Sequence, residues 1–315
     1  MDLFDLLIIG AGPAGLTAAQ YGARAGLRVV VLENLTPGGQ MLNIAVLENY
    51  PGNIYGKSGW DFSSDMQKQA LGFGAVFIHK KAEVLKINND GPVRLFSVAL
   101  DDGSVIEAKA VILCMGASPR HLNVPGEEAF LGAGVSYCAA CDGPFFKGKK
   151  IIVVGGGDAA CDEAVQLLKI SPNITMVHRR EVLRAQKAVA ERMLTNKSIR
   201  LMLNTQVCEI AGDEKVRSVL LKNTITGAQT RESADAVFIF AGFIPRNELV
   251  KSAGLSENPV LDSIGFIRTN QRMETSVKGL FCAGDLRSTP FRQVITAAGE
   301  GAVAAHAAAE YVEAL

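Results

Sequence analysis

Two stretches of this chain repeat one pattern. Residues 6–15 read LLIIGAGPAG and residues 151–160 read IIVVGGGDAA, so four apolar residues run into glycines that open an Ala-containing segment. A buried strand that turns at once into a helix needs this order, because glycine allows the sharp turn and leaves the backbone bare towards a ligand. Pro13 suits the first helical position, where an amide hydrogen has no partner within the helix. A second apolar run follows each repeat, at 29–33 and at 174–177, and each set predicts a βαβ unit. Residues 6–23 carry no charge, a length that borders on a membrane span, but Gly10, Gly12, Pro13 and Gly15 interrupt such a helix where a strand hands over to a helix.

Both repeats fit the G-x-G-x-x-G/A fingerprint of dinucleotide binding, in which phosphate oxygens rest on a helix N-terminus. The first has Gly10, Gly12 and Gly15 with Pro13 and Ala14 between them, and Glu33 closes its second strand, where a carboxylate binds ribose hydroxyls. The second has Gly155, Gly157 and Ala160 with Asp158 after the turn. Gly10 and Glu33 are 23 residues apart, and the same count from Gly155 reaches His178, followed by Arg179, Arg180, Glu181 and then Arg184. A carboxylate repels a 2′-phosphate, whereas guanidinium groups pair with it. The first site is therefore expected to take a nucleotide with a free ribose and the second to prefer NADP(H) over NAD(H). A solvated basic face is the plainer reading of the same arginines.

The remaining pattern predicts a helix over 60–72, short strands over 75–78, 84–87 and 95–100, and a strand over 110–115. Beyond the second fingerprint it predicts a helix over 159–169, a strand over 237–240, a buried strand over 280–285 and an Ala-rich helix from 294 onward. CMGASPR at 114–120 and AGFIPRN at 241–247 are matching Gly/Pro connections that read as hinges. The fold expected is α/β, with two Rossmann-like dinucleotide-binding domains: a discontinuous one, 1–119 plus 248–315, and a second inserted at 120–247.

With 32 basic and 32 acidic side chains in 315 residues, no net field favours nucleic acid or an anionic membrane. The acidic start MDLFDLLIIG lacks the positive region of a signal peptide, and six cysteines are too few for a disulfide-stapled secreted scaffold, so a reducing, cytoplasmic setting is expected. Cys138 and Cys141, in CAACDG at 138–143, are the one close pair. Half a zinc site would need two more ligands at matching spacing, and no second pair is present, so no metal is expected. Coincidence suits the isolated cysteines better than the pair. Ala139 and Ala140 leave both sulfurs accessible, and a helix start nearby favours the thiolate of a redox dithiol. Asp142 then reads as the acid or base of thiol–disulfide exchange, or as a turn-forming residue ahead of Gly143.

Taken in order, GAGPAG, GGQ at 38–40, ENYPG at 48–52, CAACDG, GGGDAA, HRREVLR at 178–184 and CAGDLR…FRQVITAAGEG make the chain resemble low-molecular-weight, bacterial-type thioredoxin reductase over essentially its whole length. The resemblance implies FAD in the discontinuous domain and NADPH in the inserted one. Electrons would pass from NADPH through FAD and a Cys138–Cys141 disulfide to thioredoxin, with Cys141 nearer the flavin, Cys138 attacking the partner and Asp142 handling protons. By the same resemblance FAD contacts fall on Gly38, Gly39, Gln40, Asn49, Val84 and Gly116. Asp285 is placed for the ribityl chain, and Arg292, Gln293 and Val294 bring a helix N-terminus to the flavin. A homodimer is also implied. Met115, Ala140 and Tyr50 depart from the commonest family form without removing a reacting group. Four other readings share much of this pattern. A relative serving a peroxidase system carries a thioredoxin-like segment ahead of its first fingerprint, which here starts at residue 10. A reductase that takes its electrons from ferredoxin would not need Arg179 and Arg180, and a flavin NADP reductase acting on ferredoxin would not need the cysteine pair. A redox sensor would cycle its disulfide without steady turnover.

Overall fold

The computed structural model describes residues 3–44, 47, 49–54, 56–89, 91, 93–255 and 260–315. Met1, Asp2 and Glu48 of the ENYPG motif lie outside the described residues. The chain divides into two compact units, residues 1–118 with 244–315, and residues 119–243.

The first unit opens with β1 (Leu3–Ile9), α1 (Pro13–Arg24), β2 (Val29–Leu32), α2 (Gly59–Gly72) and β3 (Val76–Ile78), then runs through an antiparallel meander of β4 (Ala82–Asn88), β5 (Leu95–Leu100) and β6 (Val105–Leu113). β1 lies between β2 and β6, parallel to both, with Leu6 opposite Val29 on one side and Ala110 on the other. Leu6 and Ile8 pack towards α1, while Leu7 and Ile9 pack on the opposite face with Phe96 and Val98. Both faces are covered, which is why the strand is a continuous apolar run and not an alternating one. β6 begins five residues before the strand expected at 110–115 and ends two residues sooner. Its first half is held by β5, so Glu107 and Lys109 interrupt the apolar run without interrupting the ladder.

After β7 (Ala117–Pro119) the second unit contains β8 (Val135–Ser136), α3 (Ala139–Asp142), β9 (Ile151–Gly155), α4 (Asp158–Leu167), β10 (Ile174–Val177), α5 (Lys187–Leu194), β11 (Ile199–Met202), β12 (Thr205–Gly212), β13 (Val216–Asn223), β14 (Gln229–Ser233) and β15 (Ala236–Phe240). Its parallel sheet runs β11-β10-β9-β15-β8, with Ile152 of β9 opposite both Thr175 and Val237. Strands β12 to β14 form a separate antiparallel sheet that the apolar pattern did not signal. Only one face is buried, through Val207, Ile210, Val219 and Leu221, and a register shift between Val207 and Glu209 breaks the alternation a sequence reader looks for.

The chain returns through β16 (Phe243–Pro245), which pairs with β7 as a two-stranded ribbon, and continues as α6 (Glu248–Ser252), β17 (Leu280–Cys282) and α7 (Val294–Glu313). β17 joins the first unit's sheet parallel to β6, Leu280 opposite Val111. It stops three residues short of the expected 285, because Gly284 adopts φ +76° and starts a single 3₁₀ turn. Alanines and glycines let α7 lie close on α1; a side chain at Gly301 would overlap the Ala14 carbonyl. Among the described residues no helix is long and apolar enough to cross a membrane.

Candidate dinucleotide and disulfide sites

In the first unit the β1–α1 turn exists only because of its glycines. Gly10 adopts φ +98°, and a Cβ there would stand 2.5 Å from the Cys114 carbonyl oxygen; at Gly15 it would overlap the Gly10 carbonyl. Gly12 is different, since nothing lies within 4 Å of the place a Cβ would take. Pro13 and Ala14 start α1 directly behind this opening. Glu33 reaches back to the turn, its Oε2 accepting the Ala11 amide at 2.8 Å and its Oε1 the Leu35 amide at 3.0 Å. Gly38 donates its N–H to the Ala11 carbonyl at 2.7 Å, and a Cβ at Gly39 would come within 3.3 Å of Gly12 Cα.

Gly284 lies against Ala14 and Ala297, so the 3₁₀ turn carrying Asp285 and the start of α7 both meet the glycine turn of α1. Glu300 on α7 fixes that turn, one carboxylate oxygen accepting the Gly284 amide at 2.8 Å and the other pairing with Arg287 at 2.5 Å. Burial pushes the Asp285 carboxyl up to about 6; the Arg292 guanidinium draws it down and the Glu300 charge adds to the rise. Gln293 caps α7 in a reciprocal box with Thr296, while Asn49 Nδ2 donates to Gln293 Oε1 at 3.0 Å. Arg292 donates from Nε to the Asp285 carbonyl at 3.3 Å and stacks 4.2 Å above the Phe266 ring. The first turn of α7, beginning at Val294, carries the positive end of a 20-residue helix. Gln40 Nε2 donates to the Ala117 carbonyl, and Gly116 adopts φ +70° with its carbonyl accepting from Arg246 N–H at 3.1 Å. Val84 sits on β4 beside a bulge. An open turn at Gly12, the Glu33 carboxylate drawn onto that turn and a desolvated Asp285 fit a flavin–adenine dinucleotide.

In the second unit Cys138 and Cys141 form a disulfide, their Cα atoms 5.3 Å apart. Cys138 caps the four-residue α3, its Sγ accepting the Cys141 amide at 3.2 Å. Ala140 is exposed, whereas Ala139 is buried with Ile151 and Ala160 and anchors the turn to the core. Gly143 adds to this fit, since a Cβ would press on Ile170 and Leu167. Ser136, only 3% exposed, joins the parts: its Oγ donates to Asp142 Oδ2 at 2.6 Å and accepts the Cys138 amide at 3.1 Å. Tyr137 donates to the buried Glu127 carboxylate at 2.7 Å, which also accepts the amides of Leu122 and Asn123. Sequence reasoning missed Ser136. The signal was there, a serine two residues before the amide it caps, but only the fold brings Asp142 to the same hydroxyl.

At the second glycine turn Gly157 faces open space, and Ala160 is fully buried against Gly155, where the fingerprint needs a small residue. Asp158 is engaged within the protein, accepting from the Gln186 amide and side chain. Arg179, Arg180 and Arg184 are exposed, and among the described residues neither they nor Glu181 enter an ion pair. His178 is 5% exposed and lies beneath the turn, so close to Gly156 that no Cβ fits there. Burial first, then the three arginines, hold its imidazole below the usual range, and its Nε2 lies 3.2 Å from the Val182 carbonyl. A carbonyl can only accept, so Nε2 carries the hydrogen. The unpaired arginines and open glycine fit a nucleotide bearing a 2′-phosphate.

The chain is similar to thioredoxin reductase of Treponema pallidum, with 50% identity over 313 residues covering 99% of this chain and 98% of that protein. It is similar to thioredoxin reductase of Bacillus subtilis, with 42% identity over 316 residues covering 99% and 96%. A solved thioredoxin reductase from Streptococcus pyogenes superposes with a TM-score of 0.88 at 41% identity, covering 99% of each chain. Residues 4–301 match the family model described as pyridine nucleotide-disulphide oxidoreductase, and the chain belongs to that family.

Proposed function

We propose that this protein is an NADPH-dependent thioredoxin-disulfide reductase, with FAD in the first unit and NADPH in the second. The observation that carries the reading is the Cys138–Cys141 disulfide, built into the same unit as a dinucleotide turn with unpaired arginines, in a chain half identical to a thioredoxin reductase. FAD, when bound, relays a pair of electrons from NADPH to the disulfide. The chain's residues bind and orient. The Gly10–Gly15 turn receives the pyrophosphate, Glu33 a ribose, Asp285 a ribityl hydroxyl, and the start of α7 gives positive potential beside the flavin ring. Gly38, Gly39, Gln40, Asn49, Val84 and Gly116 complete that site.

In the second unit Arg179, Arg180 and Arg184 engage the 2′-phosphate, with His178 supporting them from below. Once the dithiol is formed, the Cys138 thiolate attacks the thioredoxin disulfide, giving a mixed disulfide and one thioredoxin thiolate. The Cys141 sulfur then attacks Cys138 Sγ, which re-forms the intramolecular disulfide and releases the second thioredoxin sulfur. Asp142, held by Ser136, gives and takes the protons these steps require. The connections at 114–120 and 241–247 act as hinges, and the enzyme is a cytoplasmic homodimer; the support for these is the resemblance to the family.

Anaerobic stopped-flow tests the reading. NADPH should bleach the flavin at far lower concentration than NADH, and oxidised thioredoxin should restore it. Cys138→Ser should abolish thioredoxin reduction and spare flavin reduction by NADPH; flavin that thioredoxin never reoxidises in the wild type would assign the dithiol to another partner.

A further inference from the structure

We propose that Asp158 and Gln186 form a clasp that places Arg184 for the 2′-phosphate, so that Asp158 is a positioning residue for cofactor choice; this rests on the reading of the second turn as an NADPH site. Four hydrogen bonds join residues 184–186 to the glycine turn. The Gly156 carbonyl accepts the amides of Arg184 at 2.6 Å and Ala185 at 3.1 Å. The Asp158 carboxylate accepts the Gln186 amide at 2.6 Å on one oxygen and the Gln186 side-chain amide at 2.9 Å on the other.

The rest of the arginine loop is tied from the other side. Thr224 Oγ1 donates to the Arg179 carbonyl at 3.3 Å, Asn204 N–H to the Arg180 carbonyl at 3.1 Å, and His178 to the Val182 carbonyl. The backbone is therefore pinned on both flanks while the three guanidinium groups stay exposed. Long side chains that must converge on one phosphate lose less freedom when their Cα positions are set beforehand. The clasp also settles an electrostatic conflict. Asp158 stands at the start of α4, where a free carboxylate would repel an incoming phosphate, and engaging both its oxygens with Gln186 donors offsets that charge.

The test is calorimetric binding of 2′,5′-ADP and of 5′-AMP to the FAD-loaded full chain. Wild type should bind 2′,5′-ADP at least about tenfold tighter than 5′-AMP, as a guanidinium–phosphate pair requires. Asp158→Ala should lower that ratio about tenfold, and Gln186→Ala, which keeps the backbone bond, about threefold. If wild type shows no preference, the NADPH reading fails and the clasp with it. If wild type discriminates and both variants keep the full ratio, the clasp is wrong and the NADPH reading stands. A loss in Asp158→Ala alone, with Gln186→Ala unchanged, would leave the positioning to the backbone bond from Gln186 to Asp158 and overturn the part given to the Gln186 side chain. Thermal melts accompany each variant, and if Asp158→Ala melts early, the exposed Gln186→Ala decides the matter.

Discussion

Replacing Asp285 with asparagine should stabilise the FAD-free protein above pH 6 and weaken its hold on FAD. Burial raises this carboxyl from an ordinary 3.8 to about 6. The folded chain thus keeps a proton that the unfolded chain has already released. Its stability contribution is complete below pH 3.8 and is lost as the pH climbs through about 6. A rise of this size corresponds to about 3 kcal/mol. Asparagine does not titrate, so the variant and wild type should converge near pH 4 and differ by about 3 kcal/mol at pH 7.5, the variant being the more stable. Urea unfolding of FAD-stripped protein reads this through Trp60, the chain's only tryptophan, which sits on α2 of the first unit. The difference between the two proteins isolates Asp285 from other titrating groups. With FAD present that advantage shrinks or cancels, since an ionised acceptor to a ribityl hydroxyl contributes about 1.5–3 kcal/mol, and the variant should bind FAD roughly 10- to 100-fold more weakly. A stability difference that does not change between pH 4 and 7.5 would refute the argument that the carboxyl is held uncharged by burial.

Arg180→Ala should raise the KM for NADPH about tenfold or more and leave that for NADH nearly unchanged, because only the 2′-phosphate meets the guanidinium; steady-state kinetics with both coenzymes checks it. Ser136→Ala strips Asp142 and the Cys138 amide of a shared partner and should slow thioredoxin reduction about tenfold, while flavin reduction by NADPH in stopped-flow keeps its wild-type rate. Two glycines of one turn should behave differently. Gly12→Ala meets open space, so apoprotein stability should change by less than about 1 kcal/mol while FAD affinity falls. Gly15→Ala drives a methyl into the Gly10 carbonyl and should cost about 1–3 kcal/mol in urea titrations of the apoprotein itself.

The amino-acid sequence by itself determined the two strand–turn–helix units, because their signals are local. Glycines at fixed spacing, an apolar run buried on both faces and a Pro at a helix start lie within a dozen residues of one another, and β1, α1, β9 and α4 sit where that grammar puts them. The cysteine pair was legible for the same reason, being short and chemically distinctive. Tertiary structure decided what depends on distant partners. The sheet of β12 to β14 escaped notice because register shifts in β12 break the alternation that a sheet buried on one face would otherwise show. β6 starts early because β5 supplies its first partners, and β17 ends early because Gly284 turns to meet Ala14. Asp285 acquires its proton affinity from burial in the folded chain. Asp158 is engaged by a residue 28 positions away, and Ser136 meets Asp142 only after α3 has coiled back over the core. His178 and Glu33 occupy the same register, yet one is buried beneath its turn and the other reaches into its own. A hydrogen bond or a desolvated charge belongs to the pair of groups brought together, and that pairing is set by packing.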